Sequence, residues 1–398
     1  MSGGGLSKTR LARMRDVMAG YVERGEVPGL VLAVSRRGAA VIEPIGATDL
    51  AGTPVRSDTI FRISSLTKPI TAAATMLCVE ECTLRLDEPV DRLLPELADR
   101  VVLRHVDGPL DNTVPASRPV TVRDLLTFRW GFGMVIAPPD RYPIQRAMTE
   151  LCLGQGAPDP QVPPEPDEWI RRLGTLPLIH QPGEGWMYNT GSDVLGVLVA
   201  RAAGQPFDEF LRQRIFEPLK MADTSFSVPA ASLARLATGY HDNGVDVYDA
   251  VADSKWRQPP AFPSGAGGLV STVADYLAFG EMMLRQGTCD GGRLLSRPSL
   301  EVMTTDQLTP SQKQASGPFA GYFANHGWGL GMSVVTERDG LGEPVGRFGW
   351  NGGLGSVWYA DPSEDMVTIL MTGCAKFTLN PPNLYRDFWT LAYQAIDD

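Results

Sequence analysis

Several absences narrow the field before any motif is read. No run of 18 apolar residues occurs in the 398-residue chain, so no segment reads as a membrane-spanning helix. Histidine is scarce: His105, His180, His241 and His326 are scattered, with no H-E-x-x-H, which argues against zinc catalysis and against any metal site. No G-x-S-x-G nucleophile elbow, G-x-G-x-x-G or P-loop occurs, so an α/β-hydrolase triad and nucleotide cofactors are unsupported, and no cofactor is expected. Basic residues are outnumbered 36 to 46. The net charge of −10 makes nucleic acid and anionic membrane surfaces poor partners.

The five cysteines are odd in number and form no C-x-x-C. Lys8, Arg10, Arg13 and Arg15 interrupt every apolar window that a signal peptide would need. Together these features predict a cytoplasmic protein with free thiols, Cys78 and Cys82 being buried small hydrophobes.

What is present suits a globular enzyme. Hydrophobic residues make up 43% and charged residues 21%, enough for a sizeable core, and the length allows about two to three domains. Leu11, Met14, Val17, Met18, Tyr21 and Val22 predict a first helix stopped by Gly25 and Pro28. GLVLAVSRRGAAVIEPIG reads as a hairpin around Arg36-Arg37-Gly38. In TIFRISSLTKPITAAATMLCVEE an extended start turns helical, with Ile70, Ala73, Ala74, Leu77 and Cys78 on one face.

The middle of the chain is mostly helix and loop. VTVRDLLTFRWGFG predicts a short helix ending at Gly131 or Gly133, GAPDPQVPPEPDEW a surface loop, and GSDVLGVLVARAAG a helix stopped by Gly204. The last third consists of short β-rich runs before a final helix carrying Leu384, Phe388, Leu391 and Ala395. Strands at both ends with helices between predict an α+β fold. Residues 1–62 and 260–398 would form one central antiparallel sheet covered by helices, and 63–259 an inserted, mostly helical domain. The cleft between the two is the expected site.

Ser65-Leu66-Thr67-Lys68 carries the chemistry. At a strand-to-helix transition, positions i and i+3 share a face, so the Lys68 amine can reach the Ser65 hydroxyl. A lysine of lowered pKa can take the proton that keeps serine a weak nucleophile. Tyr188-Asn189 sits in a Gly-rich loop before a helix, where a tyrosine could share a proton with Lys68. Trp350-Asn351-Gly352-Gly353 lies on a Gly-rich strand whose backbone N–H could form half of an oxyanion hole. Trp186, Trp328, Trp350, Trp358 and Tyr359 are either acyl-pocket walls or core, with core the commoner role.

These features resemble the serine β-lactamase and penicillin-binding superfamily, specifically its class C-like branch with the family VIII carboxylesterases. FRISSLTKPITAAA, LRLDEPVDRLLPEL, VTVRDLLTFRWGFG, PGEGWMYNTGSDVLG, GAGGLVSTVADYLAFGEMML and FGWNGGLGSVWYADP follow the family's order from about residue 10 to 390. The resemblance implies a β-lactamase/transpeptidase-like fold, Ser65 as the acylated serine, Lys68 as its motif lysine and Tyr188 as the tyrosine of a Y-x-N element. It also implies an oxyanion hole from the backbone N–H groups of Ser65 and Gly353, with Trp350, Asn351 and Gly352 in the place of a K-T-G triplet, contacting substrate beside Asn189.

Two departures stand out. Tyr188 and Asn189 are adjacent, where the family has a residue between them. Trp350 replaces a lysine and cannot pair with the carboxylate of classical β-lactams. The reading is therefore a carboxylesterase acting through an acyl-enzyme on a small-molecule ester. A β-lactamase, D-amino-acid peptidase or acyltransferase is the alternative within the fold, and a catalytically silent ligand-binding protein the alternative from another class.

Overall fold

The hairpin forms as the sequence reading expects. Strands β1 (Gly29–Arg36) and β2 (Ala39–Gly46) pair antiparallel. Both turn residues, Arg37 and Gly38, have positive φ (51° and 77°), the twist that a two-residue hairpin favours. The computed structural model describes residues 3–154, 156–377 and 380–398.

The chain returns to this hairpin near its end. Strands β3 (His326–Trp328), β4 (Ser333–Val335), β5 (Phe348–Gly352), β6 (Ser356–Asp361) and β7 (Met366–Thr372) complete a seven-stranded sheet. Its order is β3-β4-β5-β6-β7-β1-β2, and every neighbouring pair is antiparallel. One central antiparallel sheet is thus built from both chain ends, the α+β, β-lactamase/transpeptidase-like arrangement expected.

The long helices are α1 (Lys8–Glu23), α2 (Thr67–Glu80), α3 (Thr190–Ala203), α4 (Val273–Leu284) and α5 (Asn383–Gln394). The two-residue period of a strand sorts the sheet's side chains between two cores. Leu30, Leu32 and Val34 bury against α1 and α5, through Met14, Met18, Leu384 and Phe388. Val31, Ala33, Trp358 and Ile369 face the larger core, with α2 and α4. Gly280 of α4 makes this approach possible, because a Cβ there would lie 2.4 Å from the Trp358 indole nitrogen. Thr272 caps α4, accepting from the Asp275 N–H, and Gly204 ends α3 in the left-handed conformation.

Four expectations need correction. Helix α2 is buried on all sides from Thr67 to Cys78, not on one face, because it packs between the sheet and α3. Its inward threonines are satisfied locally, the Thr71 hydroxyl donating to the Thr67 carbonyl (3.1 Å) and the Thr75 hydroxyl to that of Thr71 (2.9 Å). The helix at 122–126 ends well before Gly131, since Phe128 turns left-handed (φ 56°). Cys78 is buried, but Cys82 lies past the end of α2 and is exposed. The segment read as a loop through Trp169 turns helical at Pro166 and buries Trp169, and its Ala157, Pro158, Pro160 and Pro163 line the principal cleft. Among the described residues no helix is long and apolar enough to cross a membrane.

Candidate active site

A two-residue strand, Phe61–Arg62, delivers the chain into a 3-10 turn, Ser64–Leu66, that runs directly into α2. Ser64 holds a left-handed φ of 46°, a costly conformation for a residue with a side chain. Ser65 therefore stands at the head of α2 with Lys68 in its first turn, as the i, i+3 spacing predicts. The Lys68 amine donates to the Ser65 hydroxyl (3.0 Å), the Asn189 side-chain oxygen (2.7 Å) and the Ala266 carbonyl (2.6 Å). Lys68 is completely buried, and burial pushes its pKa down to about 7, against the opposing field of Asp193.

Tyr188 approaches from the loop ahead of α3. Its hydroxyl accepts from the Trp350 indole N–H (2.8 Å) and is hydrogen-bonded to Ser65. Phe128, Trp186, Phe319 and Trp350 surround the ring with centroids 5.6 to 5.9 Å away. Burial pushes the phenol up to about 12. The lysine nitrogen lies 4.6 Å from the ring centroid. The two groups are driven apart: the amine becomes a better proton acceptor at neutral pH, and the phenol keeps its proton.

The adjacency of Tyr188 and Asn189 has a structural explanation. Asn189 adopts φ 85° and ψ −71°, and the Tyr188 carbonyl accepts from the Thr190 N–H (3.3 Å). This is a classic-type γ-turn, rare and strained, centred on Asn189. The sharp reversal lets neighbouring side chains meet the same lysine with no spacer residue. The left-handed residues Ser64 and Asn189 thus flank Ser65 and Tyr188, one on each side of the site.

Strand β5 closes the third side. Trp350 and Asn351 line the cleft, with Asn351 paired to Val357 of the neighbouring strand β6. Gly352 is pressed against the segment that leads to Ser65: a Cβ there would lie 2.3 Å from the Ile63 carbonyl. That carbonyl also accepts from the Ser356 hydroxyl (2.9 Å). The Gly353 carbonyl accepts from the Lys376 N–H (2.8 Å), which fixes the strand end where an oxyanion donor would be needed.

Sequence reasoning grouped Trp350, Asn351 and Gly352 as substrate contacts. Trp350 and Asn351 both line the cleft, and Gly352 does not. Glycine at 352 is required by the close approach of the chain at Ile63. Of the other aromatics, Trp186 and Trp328 pack around Tyr188 and Trp350, whereas Trp358 and Tyr359 belong to the two sheet cores.

Three residues of the site were not read from the sequence. Asp193, in the first turn of α3, is buried. One of its oxygens accepts from the Ser264 hydroxyl (2.6 Å) and the Ala266 N–H (3.1 Å). Ala266 contributes only its backbone, for which no sequence signal exists. An aspartate in the first turn of a helix that is apolar from Val194 to Ala200 was the one available hint.

The cleft above Ser65 has a volume of about 520 Å³. Its walls are mostly apolar: Met134, Ile136, Leu153, Trp169, Phe262 and Phe319 join the proline-rich loop. That loop is held from behind, Asp159 pairing with Lys255 (2.6 Å) and the Tyr248 hydroxyl donating to the Pro158 carbonyl.

Comparison with known proteins shows the family and the fold. The sequence profile of the family described as Beta-lactamase matches residues 14–385. Protein Rv1367c of Mycobacterium tuberculosis is 40% identical over 359 residues, 88% of this chain and 86% of that one. Esterase EstB of Burkholderia gladioli is 30% identical over 395 residues, covering 93% and 92%. The solved structure of EstCE1, a hydrolase with promiscuous acyltransferase activity, superposes with a TM-score of 0.79 at 23% identity, covering 97% of this chain and 99% of its own. The family profile and the fold agree along nearly the whole chain, which belongs to the beta-lactamase family of serine-dependent enzymes.

Proposed function

We propose that this protein is a carboxylesterase that works through an acyl-enzyme on Ser65. The observation that carries the reading is the Ser65–Lys68 contact, 3.0 Å between a hydroxyl and a fully buried amine whose pKa is lowered to about 7. In the first step Lys68 takes the Ser65 proton as the oxygen attacks the ester carbonyl. The carbonyl oxygen becomes an anion held by the backbone N–H groups of Ser65 and Gly353. On collapse the leaving alkoxide takes the Tyr188 proton, and the Lys68 ammonium returns one to the phenolate. Trp350 donates to the Tyr188 oxygen throughout and stabilises that transient negative charge. Water then repeats the sequence, with Ser65 as the leaving group.

Two features favour apolar esters as the substrate class. The cleft walls are largely hydrocarbon and aromatic. Trp350 also presents no cation to a substrate carboxylate, and Lys376 on the cleft wall already donates to the Asp242 carbonyl (3.1 Å). The esterase among the relatives supports the same choice.

The test is a substrate series. Medium-chain p-nitrophenyl esters should exceed a chromogenic cephalosporin in kcat/KM by roughly two orders of magnitude. The opposite ranking would refute the ester reading. Tyr188→Phe should lower kcat/KM on alkyl esters by roughly 10²- to 10³-fold. The loss should be smaller on p-nitrophenyl esters, whose leaving group needs no proton. Equal losses on both would contradict the acid role given to Tyr188.

A further inference from the structure

A second buried ionisable group lies behind the Ser65–Lys68 pair and takes no part in the steps above. We infer that Asp193 is a positioning residue: it fixes the carbonyl that receives Lys68 and supplies the negative charge that faces the lysine. The inference rests on Ser65 and Lys68 acting as proposed.

The connection is continuous. The Ala266 N–H donates to Asp193, and the Ala266 carbonyl accepts from the Lys68 amine, so a single residue links the two charges. Ser264 donates to the same carboxylate oxygen and through its own hydroxyl accepts from the Gly267 N–H (3.1 Å). The turn over residues 264–267 is therefore tied to α3 through one aspartate. The missing side chains of this turn are also needed, since a Cβ on Gly265 would lie 2.3 Å from the Ser192 carbonyl.

The electrostatic part follows from what surrounds the amine. Loop and helix groups facing Lys68 are Ser65, Tyr188, Asn189 and the Ala266 carbonyl, all uncharged at neutral pH. Asp193, from α3, is the one charged group among the described residues whose field reaches it. Burial alone would depress the lysine further, leaving an amine too weak to draw a proton from serine. The carboxylate opposes that effect; burial raises its own pKa, and the Ser264 and Ala266 donors and the lysine charge counter part of that rise.

The experiment measures the rate of Ser65 labelling by a fluorophosphonate across pH, a readout independent of the natural ester. In the wild type the rate falls on the acid side as Lys68 is protonated. Asp193→Asn keeps an oxygen for Ser264 and Ala266 but removes the charge. The acid limb should then move down by roughly one pH unit or more, with a plateau roughly three- to tenfold lower because the base is weaker. Ser264→Ala keeps the charge and removes one donor, so its limb should stay in place.

An unmoved limb in Asp193→Asn would overturn the inference, as would an equal shift in Ser264→Ala. Thermal melts establish that each variant is folded. Asp193→Leu serves where the asparagine variant is not, and failure of both to fold would assign Asp193 to the scaffold alone and overturn the inference. No labelling of the wild type at any pH would instead overturn the reading of Ser65 beneath it.

Discussion

Ser65→Ala should reduce ester turnover by roughly four to six orders of magnitude while leaving the melting temperature close to that of the wild type. The serine hydroxyl is the only group at the head of α2 that contacts both the Lys68 amine and the Tyr188 phenol. Removing it takes away the bond-forming atom, and neither neighbour can replace it. The amine is spent holding Asn189 and Ala266, and burial keeps the phenol protonated. The structural cost is small, because Ser65 sits at the cleft floor, the fold-forming contacts of this turn being made by its neighbours. Thr67 donates to the Ser64 carbonyl (2.7 Å) and Leu66 to that of Ile63 (3.1 Å). Steady-state kinetics beside calorimetry separates the two effects. Residual turnover above a thousandth of the wild type would contradict the assignment.

Lys68→Met should have nearly as large an effect on rate, roughly three orders of magnitude or more, and an opposite effect on stability. A methionine fills much the same volume without an amine to desolvate. The lysine is wholly buried with its pKa lowered from 10.5 to about 7. Between those values the unfolded chain holds a proton that the folded chain has given up, so this group makes stability rise with pH across the window. Below about pH 7 the folded state must bury the ammonium, and the penalty is complete. Lys68→Met removes it, so the variant should melt at a higher temperature than the wild type, with the largest gain at and below pH 7. Such trade-offs between stability and activity are common where a site holds a poorly solvated charge. A variant that melts lower across the whole range would show that the amine's three hydrogen bonds outweigh its desolvation.

The legibility of this molecule in its sequence varied with the kind of signal. The β-rich runs on either side of Arg36-Arg37-Gly38 made the hairpin readable, because strand propensity and turn chemistry are local. Ser65 and Lys68 were readable for the same reason, the helix itself setting their separation. Asn189 was less so. A missing spacer residue reads as a deletion, and only the backbone reveals that a γ-turn restores the contact with Lys68. At Trp350 the sequence showed a lost cation but not the use made of the indole, which depends on a partner 162 residues away. Asp193 and Ala266 form a relay made half of backbone, which no residue pattern announces. At Gly352 the triplet pattern gave no hint that the glycine is needed where the chain passes close to Ile63.

The most direct measurement is the intact mass of the protein after brief incubation with an excess of a medium-chain apolar ester, quenched in acid. The wild type should gain the mass of the acyl group on one site, mapped by peptide sequencing to Ser65. Ser65→Ala under the same conditions should gain nothing. An adduct on the alanine variant, or rapid turnover by the wild type with no acyl-protein formed at any quench time, would contradict covalent catalysis through Ser65.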